Sequence, residues 1–399
     1  MQFILNKKRV IMLLAKDSVK SDTRVISEAG SLLRNGYDVS VVAWDREGIS
    51  KKKEEYERIK IERLRLRTSF SNSSKLMFYL ILFNMAAFFR LLSENFDIIH
   101  CHDFDTLVAG LFAGKLKCKK VVYDAHEIYS LMVQTYVPKI VVKAISVVEF
   151  LLIKKVDVLI TVSEILADYF KKSVRGKVKI SVVMNCKDPS AFQTSEKEIK
   201  ELKAKFEMQN HFLILYDGWL IPDNGLEELF SSIENLDGKI RDVIAVICGD
   251  GCAEQEFRKM VEEKNIEKYV KFIGKIQSKD IPLFVNACDI MYIMRNPIIK
   301  YNFLSTPNRL FEAIVAGKPV IASNFGNIRR IVEKGGFGLL VSPGDINELC
   351  DAILMLSHDK KVTKRLSEKA KDMSKKYNWP LMEKRLLSLY EYLTLGTND

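Results

Sequence analysis

Ser305-Thr306-Pro307-Asn308-Arg309-Leu310-Phe311-Glu312-Ala313-Ile314-Val315-Ala316-Gly317-Lys318-Pro319-Val320-Ile321 reads as a helix with both ends marked, followed directly by a strand. Pro307 sits where a helix begins, because its fixed φ suits the first turn and its missing N–H would have no partner there. Gly317 stands where a helix ends in the left-handed conformation. Pro319 then opens a short apolar strand over 319–323. A helix handed straight to such a strand is the unit of a parallel sheet covered by helices. The helix start offers unpaired N–H groups and a partial positive charge, which suit a diphosphate. Arg309 near that start works against the helix dipole, which points to an anion. Glu312 can accept two hydrogen bonds from a ribose diol. A core helix carrying a solvent-exposed glutamate fits the same residues.

Outward from this segment, short apolar runs alternate with amphipathic helical stretches. Strands are expected at 10–15, 39–44, 98–101, 121–125, 158–162 and 180–184, with a charged, edge-like strand at 59–66. Helices are expected at 24–35, 76–92, 105–115 and 138–155. In the first of these Val25, Ala29, Leu32 and Leu33 line one side, and Gly36 stops it. A polar stretch, Ser190 to Lys205, interrupts the pattern, so the linker is placed at 186–200. The alternation then restarts, with strands at 212–216, 243–248, 270–273, 290–294, 319–323 and 338–341 and helices at 226–236 and 254–264. Two such sets predict two doubly wound, Rossmann-like α/β domains. Ligands in that architecture lie beyond the carboxyl ends of the strands, so the best site is expected in a cleft where the two sheets face each other.

A length of 399 residues fits two domains, and 48% hydrophobic residues supply two ordinary cores. The formal charge of +11 is dispersed in runs such as Lys51 to Lys53 and Lys117 to Lys120. It suits an anionic small substrate or an anionic membrane face, and equally an ordinary solvated surface. With no zinc-finger spacing, RNA-recognition signature or long basic helix, nucleic acid is not an expected partner. The seven cysteines are widely spaced, and the one close pair, Cys248 and Cys252, lacks a second pair to hold zinc. Scattered thiols fit a reducing, cytoplasmic compartment. The Leu76 to Leu92 stretch, broken by Asn84 and Arg90, falls short of a membrane span and reads either as a core helix or as an interfacial helix dipping into a bilayer.

The quoted segment resembles the donor-site signature of family-4-like retaining glycosyltransferases, which have the two-domain GT-B fold. Further matches lie in the right order: Asp22-Thr23-Arg24-Val25 with Glu28-Ala29; Asp97-Ile98-Ile99-His100-Cys101-His102; Tyr123-Asp124-Ala125-His126-Glu127; Tyr216-Asp217-Gly218 with Gly225-Leu226-Glu227; Cys248-Gly249-Asp250-Gly251; and Trp379 with the helix behind it. The resemblance spans almost the whole chain. It implies an acceptor-side domain over 1–188, a nucleotide-sugar domain over 189–376, and a terminal helix over 377–399 that crosses back to the first domain. It implies that Glu312 binds the donor ribose and that the backbone of Ser305, Thr306, Pro307, Asn308 and Arg309 holds the diphosphate. Gly218 would let the main chain approach the donor, and Gly249, Asp250 and Gly251 would lie beside the base. His126 would face the reacting sugar as a catalytic group, with His102 a further candidate on the acceptor side. Asp22 and Arg24 either shape the acceptor side or cap the first helix.

The implied reaction moves a sugar from a nucleotide diphosphate sugar to a glycan or lipid-linked glycan hydroxyl, with retention and with no metal or other cofactor. The protein is expected in the cytoplasm, with the inner face of the membrane as a candidate docking surface. Three departures stand out. Leu304 occupies the place eight residues before Glu312 where relatives often carry a second glutamate. Trp219 and Asn224 stand where they often carry cations, so either Arg309, Arg295 or Lys300 supplies the charge, or the donor differs or catalysis is weak. These departures also motivate a non-catalytic GT-B partner of another transferase as the alternative; an epimerase acting on nucleotide sugars is a third reading.

Overall fold

The computed structural model describes residues 7–68, 73–134, 136–176, 178–240, 242–298 and 300–395. The N-terminal Met1 to Asn6 segment lies outside the described residues. The chain forms two compact units, Met1–Met184 with Met382–Asp399, and Asn185–Leu381. The second boundary falls inside the terminal helix Trp379–Leu395.

The first unit is built on eight strands: β1 (Arg9–Leu14), β2 (Asp38–Asp45), β3 (Lys53–Tyr56), β4 (Ile59–Arg65), β5 (Ile98–His102), β6 (Lys120–Ala125), β7 (Val158–Thr161) and β8 (Lys179–Val182). Their order is β3-β4-β2-β1-β5-β6-β7-β8. All pairings are parallel except β3 with β4. Helices cover both faces, so a central strand such as β5 is buried at every position, its two histidines included. The edge strand is β3, not the 59–66 segment, which pairs on both sides. Its Lys-Glu-Glu-Tyr sequence has no apolar alternation to reveal it.

The second unit carries β9 (Phe212–Asp217), β10 (Val243–Cys248), β11 (Val270–Gly274), β12 (Ile290–Ile293), β13 (Val320–Ser323) and β14 (Gly338–Val341). The order is β11-β10-β9-β12-β13-β14, all parallel. Its core gathers Tyr216, Phe230, Phe257, Tyr292 and Ile353 around the sheet. Much of the polar stretch read as a linker is helix: Glu196–Lys205 is closed by a capping box in which Ser195 and Glu198 satisfy each other's backbone N–H groups.

In each sheet the winding reverses once, between β1 and β5 and between β9 and β12. The carboxyl ends at such a reversal splay apart and leave a crevice. His102 ends β5 and Asp103 follows it, and His126 follows β6. Gly218 follows β9, and Arg295 follows β12. From Met382 onward the terminal helix packs in the first unit, where the Tyr390 hydroxyl meets His100 Nδ1 at 2.8 Å and Arg385 donates to Val182 O at 3.1 Å.

Candidate active site

In the first unit the strand ends assemble a buried ionic network. Arg24 donates from Nε and Nη2 to the two Asp124 oxygens at 2.7 and 2.6 Å, and from Nη1 to Val183 O at 2.7 Å. The same guanidinium lies 3.0 Å from Glu28. Asp124 also meets His126 Nε2 at 3.0 Å and His102 Nδ1 at 3.2 Å. On its other side His126 Nδ1 lies 3.0 Å from Asp103, whose second oxygen accepts from the His126 backbone N–H at 3.1 Å. Burial alone opposes charge on His126, but the carboxylates of Asp103 and Asp124 outweigh it and raise its pKa well above the usual histidine value. The ring is therefore an imidazolium with both N–H groups donated to carboxylates. Asp124 is held well below the ordinary carboxylate range against its burial, chiefly by Arg24 and His126. Burial pushes the Glu28 carboxyl up to about 8, so it is neutral at pH 7 despite its arginine neighbour.

Of the two roles open to Asp22, the geometry shows the cap. Asp22 caps the first helix, accepting from the Arg24 and Val25 N–H groups at 3.1 Å each, and pairs with Lys16 at 2.6 Å. Arg24 and His102 are buried beneath the surface, and their polar groups serve the network rather than an open face. His126 has no ring nitrogen left over to act as a base. What it can offer is a fixed positive charge, held by two carboxylates. Asp103 is the residue the sequence reading missed. It takes φ 61° with ψ 168°, a region that side chains rarely enter, and such strain clusters at functional sites.

Glu28, His100, His102 and Asp124 have ligand atoms within 4.8 Å of one another, the residue types of a metal site. Arg24 already sits against Asp124 and Glu28, so the set is closed by a guanidinium.

In the second unit the quoted segment forms the helix Asn308–Ala316, with Pro307 at its N-cap and Gly317 left-handed (φ 66°) at its C-cap. Glu312 is buried; its Oε1 lies 3.2 Å from Lys187 Nζ, and its Oε2 has no N–H or alcohol partner among the described residues. Ser305 Oγ and Arg309 Nε are likewise buried and unpaired. Each such group costs about 1–3 kcal/mol unless something satisfies it. Arg309 stacks over the Tyr216 ring at 4.5 Å and donates to Asp217 O and Met294 O, at the ends of β9 and β12. These contacts brace the crevice from below.

Gly218 has φ 149°, and a Cβ there would come within 3.4 Å of the Arg309 guanidinium. Gly249 and Gly251 serve backbone packing: a Cβ on Gly249 would meet Gly218 O at 1.8 Å, and one on Gly251 would meet Leu220 O at 2.2 Å. Their loop is laced to the neighbouring one by Gly218 N–H to Cys248 O and Leu220 N–H to Asp250 O. Asp250 pairs with Lys275 at 2.9 Å, and Thr306 shares a hydrogen bond with Asn327. Asn308 is exposed at the helix start.

Two of the sequence departures acquire a physical reading. Asn224 is buried, donating to Tyr216 Oη and Trp219 O at 2.7 Å each, and its Oδ1 accepts from Arg295 Nη1 at 2.8 Å. A cation thus stands in contact with position 224 although the chain has none there. Trp219 is 69% exposed. The Lys300 side chain lies outside the described ones.

Asp217 is the other residue the sequence quoted without a role. Burial and the neighbouring Glu312 push its carboxyl up to about 7, so it holds a proton that it can donate to Glu312. The sign follows from linkage: a carboxyl raised in the folded state contributes stability at pH below its unfolded value, and that contribution is lost as pH rises toward 7. Asp217→Asn is therefore expected to flatten the fall in Tm between pH 5 and pH 8, by about 2–4 °C per kcal/mol. Parallel curves for variant and wild type across that range would contradict the shift.

Two family models match, Glycosyltransferase Family 4 over residues 22–191 and Glycosyl transferases group 1 over residues 197–373. The chain belongs to the family 4, group 1 glycosyltransferases of the GT-B fold, and it is an enzyme of that class. It is 22% identical to a 2-deoxystreptamine N-acetyl-D-glucosaminyltransferase of Niallia circulans, over 67% of this chain and 68% of that one. It is 24% identical to a chitobiosyldiphosphodolichol beta-mannosyltransferase of Candida glabrata, over 92% of this chain and 86% of that one. Among solved structures, Anabaena HepE in complex with UDP superposes with a TM-score of 0.73 at 19% identity, over 96% of this chain and 99% of that one.

Proposed function

We propose that this glycosyltransferase takes its sugar from a nucleoside diphosphate sugar seated at the carboxyl ends of β9 and β12, and passes it with retention to a glycan hydroxyl. The observation that carries this is the pair of buried polar atoms at the reversal of the second sheet, Glu312 Oε2 and Ser305 Oγ, which have no N–H or alcohol partner among the described residues. A ribose diol supplies donors for a carboxylate. The start of the helix Asn308–Ala316 supplies N–H groups for a diphosphate. Arg295, held against Asn224, supplies a cation beside it. Leaving-group charge is then met by oriented amides and a fixed guanidinium, an electrostatic preorganisation that asks nothing of a metal. Anabaena HepE, bound to UDP in its own structure, supports the donor class by similarity.

The test is a thermal-shift panel of UDP, GDP, ADP and their sugars on wild type and Glu312→Ala. A shift with one nucleotide, absent in the variant, is the expected result; no shift with any of them overturns the donor reading. Arg295→Ala should weaken the stabilising nucleotide by about 10-fold or more, since a hydrogen bond to a charged group is worth about 1.5–3 kcal/mol. The loss should be smaller for the nucleoside alone than for the diphosphate, which calorimetric titration of both would show.

A further inference from the structure

The first unit contains a groove of about 650 Å³ with an almost wholly apolar wall. It lies between helices 73–92 and 104–116, with Tyr129, Val137 and Ile145 contributing from the chain that follows. The helix 73–92 divides its apolar residues between two faces. Phe83, Ala87 and Leu91 are buried against the unit, with Phe83 stacked on Trp44 at 5.2 Å. Phe78, Ile81, Met85 and Phe89 are more than half exposed, and the last three line the groove together with the exposed Phe112. Such side chains held open to water are the mark of a binding surface. Of the polar side chains in the wall, Asn84 is spent on structure: it donates to Leu80 O and Asp105 O and accepts from the Ala109 N–H. The groove therefore asks its occupant for hydrocarbon.

Two observations say which hydrocarbon. The groove's wall adjoins the His126 network: Asp105 and Tyr129 line it, two and three residues along the chain from Asp103 and His126, and Asp105 feels the charge of both. The helix that supplies Ile145 also exposes Ile140, Val147, Phe150 and Leu151, and with the residues just after it bears Lys139, Lys143, Lys154 and Lys155, its one acid, Glu149, being buried. That pattern suits the surface of an anionic bilayer, from which a lipid can be drawn. No helix among the described residues is long and apolar enough to cross a membrane. We infer that the groove takes the hydrocarbon chain of a lipid-borne acceptor, whose head is thereby led to the strand ends at His126. The inference rests on the acceptor half of the proposed function and is independent of the donor.

The test uses the full chain and dodecyl glucoside carrying a photoreactive diazirine either on the terminal carbon or on the head. The tail-labelled probe should mark helices 73–92 and 104–116, and the head-labelled probe the 124–129 segment, both read by peptide mass spectrometry. Affinity in an octyl, decyl, dodecyl series should rise about fourfold per methylene until the groove is filled, from about 0.8 kcal/mol per buried CH₂. Met85→Asp with Phe112→Asp, at two exposed positions, should abolish tail labelling and leave the thermal shift with nucleotide intact. Affinity independent of chain length, or labelling unaffected by the double variant, overturns the inference. Tail label in the groove with head label far from 124–129 overturns the acceptor assignment and leaves a membrane-resting surface. Loss of the nucleotide shift in wild type would strike the donor reading alone.

Discussion

Asp124→Asn should destabilise the first unit by about 3–5 kcal/mol, the usual result of removing one partner from a buried ion pair. The substitution keeps the shape of the side chain and removes the charge that Arg24, His126 and His102 share. Arg24 is then left inside the unit facing a neutral Glu28, with the Val183 carbonyl as its other acceptor. His126 keeps Asp103 alone, so its pKa falls. Thermal unfolding should show the transition of the first unit lowered by roughly 6–20 °C, at about 2–4 °C per kcal/mol, with that of the second unit unmoved. A shift of under about 2 °C would mean that water or rearrangement satisfies the arginine and that the network is not what holds these strand ends. Nucleotide binding, proposed for the second unit, should survive the change.

Glu312→Ala should lower affinity for the stabilising nucleotide by about 100-fold or more. A ribose diol donating two charge-assisted hydrogen bonds, each worth about 1.5–3 kcal/mol, would lose both. At about 100 times its dissociation constant a nucleotide raises wild-type stability by about 2.7 kcal/mol, so the shift is easily read and its loss is unambiguous. The variant should still fold. With Glu312 gone, the principal neighbour that raises Asp217 is removed, and Asp217 can ionise toward Lys187, which otherwise pairs with Glu312. Glu312→Gln keeps one carbonyl acceptor and should fall between the two. Equal nucleotide affinity in all three proteins would remove Glu312 from the donor site and leave its unpaired oxygen without an explanation.

The way each site was legible differs. The Ser305 to Ile321 segment announced its helix by Pro307 and Gly317, and the helix is there from Asn308 to Ala316. Glu312 was legible because its spacing from that helix start is local. Asp124 and Asp217 were visible only as letters in motifs: a side chain at the last turn of a strand acquires its role from the neighbouring strands. Arg24 and Asp124 are 100 positions apart and meet because β1, β5 and β6 lie side by side. Gly249 and Gly251 looked like donor-loop glycines, and only the structure shows the carbonyls of Gly218 and Leu220 that they clear.

What the sequence determined by itself is what depends on near neighbours: apolar runs, helix ends such as Pro307 and Gly317, and the alternation that makes two parallel sheets. Those follow from backbone geometry and from burial over a few residues. The tertiary structure decided what depends on distance and dielectric. It decided that His126 is an imidazolium between two carboxylates, that Arg309 braces the crevice, and that Arg295 stands at the place of a missing cation. It decided too that the greasy helix buries one face and leaves the other open. Charge and hydrogen-bond satisfaction are set by whatever lies within a few ångströms in space, and residues that far apart in sequence carry no local mark of one another.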